Sequence, residues 1–202
     1  MLLLFAGFAL SLFGSLPPGL ISLTVSQTSI SRGLAAAMAV AFGAAAAEFF
    51  QAWAAVLLTD WFLSHPVAER SFHWAALPVF FVLGFYLIFF AKTPRSPEGL
   101  PPAPLARQVA KGALVSVFNL LAVPYWFVYC AWLRVEGWWQ EGFFYTLVFS
   151  LGVSIGTLFA LGLYAWLGQA ILRRSGAVAR YANGLIGLIF LGLGLKTLFG
   201  LI

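Results

Sequence analysis

The sequence predicts an all-α integral membrane protein of six transmembrane helices in two inverted three-helix repeats, with the first and fourth helices broken. Three observations carry this. The first is composition: of 202 residues, 62% are hydrophobic and only 8% charged, with a mean hydropathy of +0.98, whereas an average soluble domain has about 25% charged residues. The second is block structure: the apolar residues fall into six runs, each close to the roughly 20 residues that cross a bilayer. The third is the placement of proline, which interrupts two of the runs and fills the one long connection. Six spans use about 120 residues, so the chain reads as a single transmembrane domain over 1–202 with no room for a soluble one.

The first span runs from near Leu2 to Ile30. Its start, Met1-Leu-Leu-Leu-Phe, lacks the basic region and small-residue cleavage site of a secretory signal, so it is expected to stay as a helix. About 15 residues in, roughly 22 Å at 1.5 Å per residue, comes Pro17-Pro18-Gly19. The two prolines lack amide donors and clash with the preceding turn, which deprives the carbonyls of Phe13 and Gly14 of partners, and Gly19 tolerates the irregular backbone that follows. Such carbonyls cannot face lipid, so they pack on protein or line a wet cavity. The continuation holds Ser22, Thr24, Ser26, Gln27, Thr28, Ser29 and Ser31, a polar run that suits a helix facing a cavity, with its first free amides pointing back at the break.

The second span, Leu34 to Thr59, is alanine-rich from Ala35 to Ala47 and then presents Glu48, the one acid well inside a span. Burying an ionised carboxylate in hydrocarbon is costly, so Glu48 is expected to be neutral or paired for part of a cycle and to take up and release a proton. The alternative is a permanently protonated fastener bonded to a serine or to Asn119. Gln51, one turn on, shares its face. The third span runs from Trp74 to Ala91, and the connection 92–108 contains Pro94, Pro97, Pro101, Pro102 and Pro104, a composition that favours extended backbone. It separates repeat one (1–91) from repeat two (109–202). Three spans per half is an odd number, so the second half enters from the opposite side and the repeats are inverted, a recurring transporter design with its site at the bilayer midplane.

The fourth span, Val109 to Leu133, carries Asn119 and Pro124 at a position matching the first break. Pro124 is expected to free the carbonyl of Leu120, and Asn119 brings two donors and an acceptor into hydrocarbon. The alternative is an ordinary kink satisfied by neighbouring helices. The fifth span, Phe143 to Leu167, has Gly152-x-x-x-Gly156, a small face for close helix approach that permits a homodimer without requiring one. Ser150, Ser154, Thr157, Tyr125, Tyr129 and Tyr164 read as local hydrogen-bonders that could also line a pore. The sixth span runs from Tyr181 to Leu201.

Eight of the eleven basic residues, Arg32, Lys92, Arg95, Arg107, Lys111, Arg173, Arg174 and Arg180, lie in or beside the first, third and fifth connections. By the positive-inside rule these connections are cytoplasmic and both termini are outside. Arg70 and Arg134 lie on the other side, with Lys196 able to snorkel there. Trp61, Trp74, Trp132, Trp138 and Trp139 cluster around the second and fourth connections, as an outer interfacial belt would. The net charge of +5 is scattered between apolar blocks, so it signals topology and no nucleic-acid partner.

One cysteine, Cys130, excludes an internal disulfide and a Cys-rich metal site, and no phosphate-cradling glycine loop is present. No nucleophile has a base beside it and no carboxylates pair within a span, so the sequence predicts neither an enzyme nor a cofactor. His65 and His73 fall in an outer connection and are expected to be solvated.

Pro17-Pro18-Gly19 with the polar run Ser26 to Gly33, then Gly43 and Glu48, resembles the first signature of the LysE/RhtB-type amino-acid exporters. Lys111-Gly-Ala-Leu-Val-Ser-Val-Phe-Asn119 with Pro124 resembles the second, and the likeness covers nearly the whole chain. The sequence departs from the family twice: the first break usually reads Pro-Gly-Pro, and the asparagine is usually followed at once by proline. The resemblance implies export of amino acids or related small metabolites across the bacterial inner membrane, driven by the proton gradient, with the acid at Glu48 in the position of a family carboxylate.

Together these readings predict a secondary exporter of an amino acid or similar zwitterion, working by proton antiport with alternating access. Pro17, Pro18, Gly19, Ser22, Asn119 and Pro124 are expected to bind the substrate. The half-helix after Gly19 would offer positive dipole ends and amides to a carboxylate, and Asn119 with the freed carbonyls would take the ammonium. Glu48 is expected to couple protons. A divalent metal-ion exporter is one alternative, for which only Glu48 and Asn119 offer strong ligands; a non-transporting membrane scaffold is the other.

Overall fold

A computed structural model describes residues 1–63, 103–119 and 122–168, with isolated positions among 81–89 and 188–198. Among the described residues the regular structure is helical: α1 Leu2–Ser15, α2 Leu20–Arg32, α3 Leu34–Leu63, α4 Leu105–Val117, α5 Ala122–Val135 and α6 Phe143–Trp166. The third and sixth spans, the second and fifth connections with His65, His73, Arg70, Arg173, Arg174 and Arg180, and most of the Pro-rich connection lie outside the described residues.

The surface is inverted relative to a soluble protein. Phe5, Phe50 and Trp166 are 67%, 70% and 75% exposed, while Ser11, Ser26, Thr28 and Ser150 are buried. Large apolar side chains outside and small or hydroxylated ones inside is the arrangement that hydrocarbon solvent favours, because lipid gives no reward for hiding Phe and a heavy penalty for exposing a polar group. Helices α3 and α6 are long and apolar enough to cross a membrane singly.

The other two spans are broken where the sequence places the breaks. Helices α1 and α2 meet at 73° across Leu16 to Gly19, and α4 and α5 at 64°. The second break differs in cause from the sequence expectation. Pro124 lies in the first turn of α5, where a missing N–H leaves nothing unpaired that a helix start does not already leave; it begins a half-helix rather than freeing a carbonyl inside one. Helix α4 also starts at Leu105 behind Pro104, four residues inside the segment read as linker.

Two helix pairs form the frame, and they are copies of each other. In the first, α1 packs on α6: a Cβ on Gly7 would strike the Phe149 carbonyl, and one on Gly152 the Leu4 carbonyl. In the second, α4 packs on α3: a Cβ on Gly112 would strike the Val40 carbonyl, and one on Gly43 the Val109 carbonyl. The spacings are identical, so a shift of 105 residues carries Gly7 onto Gly112 and Ser11 onto Ser116, and a shift of 109 carries Gly43 onto Gly152. Only glycine permits backbones this close.

Contacts along each pair give the directions. From Leu4 against Gly152 to Ser11 bonded to Thr157, α1 and α6 rise together; from Gly112 against Val40 to Ser116 bonded to Gln51, so do α4 and α3. Helices α3 and α6 are antiparallel, with Met38 near Gly162, Ala45 near Ser154 and Trp53 stacked edge-on with Phe143 at 5.1 Å. The two pairs therefore run in opposite senses, and the described parts of the two halves are inverted copies.

Candidate functional site

The site lies where α3 and α6 cross. Ser154 Oγ donates to the Ala45 carbonyl at 2.9 Å, and one turn further Thr157 Oγ1 hydrogen-bonds Glu48 Oε2. The 109-residue shift that maps α3 onto α6 carries Ala45 onto Ser154 and Glu48 onto Thr157. Equivalent residues of the two halves thus touch each other, which locates the pseudo-twofold axis between them. Glu48 stands about midway along α3, so the axis crosses near the middle of that span.

Glu48 is partly buried and faces three elements besides its own. Thr157 comes from α6. Ser11, from α1, sits 2.6 Å from Thr157 Oγ1 and extends the chain to the broken first span. From α5, fully buried Trp126 and half-buried Tyr125 lie in its neighbourhood, the indole N–H without a hydrogen-bond partner. Gln51, one turn along α3, donates to the Ser116 carbonyl at 3.0 Å and accepts from its hydroxyl at 3.3 Å. The expected partner of Glu48, a serine or Asn119, is instead a threonine of α6.

Helix α5 reaches α1 through Tyr125. Tyr125, four residues into α5, donates its hydroxyl to the Leu10 carbonyl at 2.9 Å and occupies the space that a side chain at Gly14 would need. The Leu16 carbonyl, at the first break, accepts from the Tyr164 hydroxyl of α6. An orphan carbonyl at an in-membrane break needs a donor from protein, and Tyr164 supplies one for Leu16.

The remaining expected site residues fall as follows. Pro17, Pro18 and Gly19 form the interval between α1 and α2. The Gly19 N–H donates to Ser22 Oγ at 2.7 Å, and Ser22 Oγ donates to the Gly19 carbonyl at 3.1 Å, so the Ser22 hydroxyl is engaged in capping α2. Asn119 spans the second break through its backbone, donating to the Ser116 carbonyl at 2.9 Å and accepting from Ala122 N–H at 3.0 Å. Pro124 sits one residue before Tyr125 in the first turn of α5.

The polar run of α2 does not line an open cavity. Ser22, Thr24, Ser26, Gln27, Thr28 and Ser31 are buried. Thr24, Thr28 and Ser31 bond the carbonyls four residues back, while Ser26 and Ser29 reach the Tyr164 and Ala165 carbonyls of α6 at 3.2 and 2.6 Å. These hydroxyls fasten helices together. Lys111 joins the same end, donating to Thr28 at 3.2 Å and interacting with Arg32, so the end of α2 and the start of α4 share one side.

At the opposite end Arg134 ties α5 to α3. Its guanidinium pairs with Asp60, approaches Glu141 at 3.4 Å, donates to the Cys130 carbonyl at 3.3 Å and lies 4.3 Å over the Trp139 ring. Sequence reading assigned no role to this cluster, to Thr157 as partner of the acid, or to Ser11. A signal for Ser11 was present: Gly7-x-x-x-Ser11-x-Phe13 recurs as Gly112-x-x-x-Ser116-x-Phe118. Among the described residues no three His, Cys, Asp or Glu side chains gather in a metal-holding group.

No curated protein and no solved structure matches the chain significantly. The family model described as LysE type translocator matches residues 12–200. That match takes in both breaks, the pair of α3 and α4, and Glu48, and so the chain, a multi-pass membrane transporter, belongs to the LysE type translocator family.

Proposed function

We propose that the protein exports an amino acid or a similar small zwitterion from the cytoplasm, in exchange for protons, by alternating access around the pseudo-twofold axis. The observation that supports this best is the position of Glu48: a partly buried carboxyl on the axis, beside Tyr125 and Trp126 of one broken span and linked through Thr157 to Ser11 of the other. An acid at such a point is accessible in turn to each side as the halves rock.

In this reading the interval Pro17, Pro18 and Gly19 exposes the first-turn amides of α2, which hold the substrate carboxylate. Ser22 acts by fixing that turn. Asn119, at the equivalent break, and Pro124, which starts α5, shape the pocket for the ammonium end. Glu48 carries the proton. The cytoplasmic side is the one bearing Arg32, Arg107 and Lys111, in the bacterial inner membrane, with both termini outside. Purified protein in liposomes loaded with each of the twenty amino acids in turn tests the reading by counterflow: accumulation of the matching labelled amino acid supports it, and accumulation of none, with manganese or cadmium moved instead, contradicts it.

A further inference from the structure

Thr157 Oγ1 has three partners and one proton. It lies within hydrogen-bonding reach of Glu48 Oε2, of Ser11 Oγ at 2.6 Å, and of the Val153 carbonyl at 3.1 Å. Carboxylate and carbonyl are both acceptors, so the single hydroxyl proton serves one of them at a time. When Glu48 is ionised, Thr157 donates to it and accepts from Ser11. When Glu48 gains a proton from water, its new O–H donates to Thr157, which turns its own proton to the Val153 carbonyl and still accepts from Ser11. The Thr157 hydroxyl keeps one bond donated and the Ser11 bond accepted in both states.

We infer that Thr157 is a positioning residue that changes from donor to acceptor with the charge of Glu48, and so makes the tie between α3 and α6 depend on that charge. The ionised state ties α3 to α6 by a charge-assisted bond, which is roughly twice as strong as the neutral one that replaces it. Ser11 of α1 donates to Thr157 in both states and holds it in place, and Gly156 gives Ser11 the room to do so, because a Cβ there would lie 2.9 Å from the Ser11 Cβ. Of the elements packed around the acid, α5 brings Tyr125 as the titratable group facing it and α6 and α1 bring hydroxyls; α2 and α4 carry Arg32, Arg107 and Lys111, with Lys111 drawn to Thr28. The inference rests on the proposed proton exchange at Glu48.

The probe is the proton itself. pH-difference infrared spectra of purified protein in lipid are recorded for wild type, Glu48→Gln, Thr157→Val and Thr157→Ser. Wild type is expected to show a carboxylic-acid band that Glu48→Gln removes. Thr157→Val is expected to move that band to the higher wavenumber of an acid without a hydrogen-bond acceptor, and Thr157→Ser to restore its position. A band unmoved in Thr157→Val, or moved equally in Thr157→Ser, overturns the assignment of Thr157 while leaving Glu48 as a proton carrier. A wild-type spectrum with no band sensitive to Glu48→Gln overturns both.

Discussion

Glu48 and Thr157 hold the same place in the two inverted halves and are hydrogen-bonded to each other. A pseudo-twofold axis brings equivalent residues together only where it crosses the interface, so this contact marks where the axis passes. The halves also differ most tellingly there: one contributes an acid, the other a hydroxyl that can donate to it or accept from it.

The glycine contacts that build the frame make the first prediction. Gly112→Ala places a methyl group against the Val40 carbonyl, and Gly43→Ala one against that of Val109. Overpacking of this kind costs about 1–3 kcal/mol, so each variant is expected to unfold at lower temperature in detergent. Gly162→Ala is the control, since its methyl meets only Met38 at 3.8 Å and the change is expected to be neutral or to stabilise by up to about 1 kcal/mol.

The tyrosine caps at the first break make the second. Tyr164→Phe leaves the Leu16 carbonyl without its donor. An interhelical hydrogen bond in a membrane protein is worth roughly 0.6 kcal/mol on average and up to about 1.7. A stability loss in that range is expected from chemical denaturation in mixed micelles, and hydrogen exchange is expected to rise in the peptides that contain residues 14–20 first.

The Arg134 cluster makes the third. Its guanidinium side chain is 9% exposed, Asp60 39% and Glu141 70%. Removing the partner of a largely buried charge is costly, whereas exposed pairs contribute about 0–1 kcal/mol. Asp60→Ala is therefore expected to lower the melting temperature more than Glu141→Ala does, and raised salt is expected to erase the effect of Glu141→Ala only.

Much of this was legible in the sequence because membrane solvent makes the rules strict. The bounds of the second and fifth spans follow from hydropathy, and the break at Pro17-Pro18-Gly19 follows from two missing amides in a row. The second break was harder to read, since Pro124 starts a helix there and the actual interval follows Val117, where no proline marks it. The polar run of α2 was read as lining a cavity because composition cannot say which hydroxyls are spent on carbonyls of the same helix or of α6. The partner of Glu48 was illegible for a different reason: it lies 109 residues away, and only the register of the two helix pairs reveals that Thr157 is its counterpart. The Gly-x-x-x-Ser-x-Phe repeat gives only the 105-residue shift of α1 onto α4, whereas Glu48 and Thr157 are related by the 109-residue shift of α3 onto α6.

The most direct measurement of the central claim is proton movement evoked by cargo. Liposomes carrying the protein and an internal pH dye are given each amino acid in turn, with wild type and Glu48→Gln compared at equal reconstitution and equal thermal stability. The account predicts a pH change with at least one amino acid in wild type, and its loss in Glu48→Gln. An undiminished pH change in Glu48→Gln would contradict it.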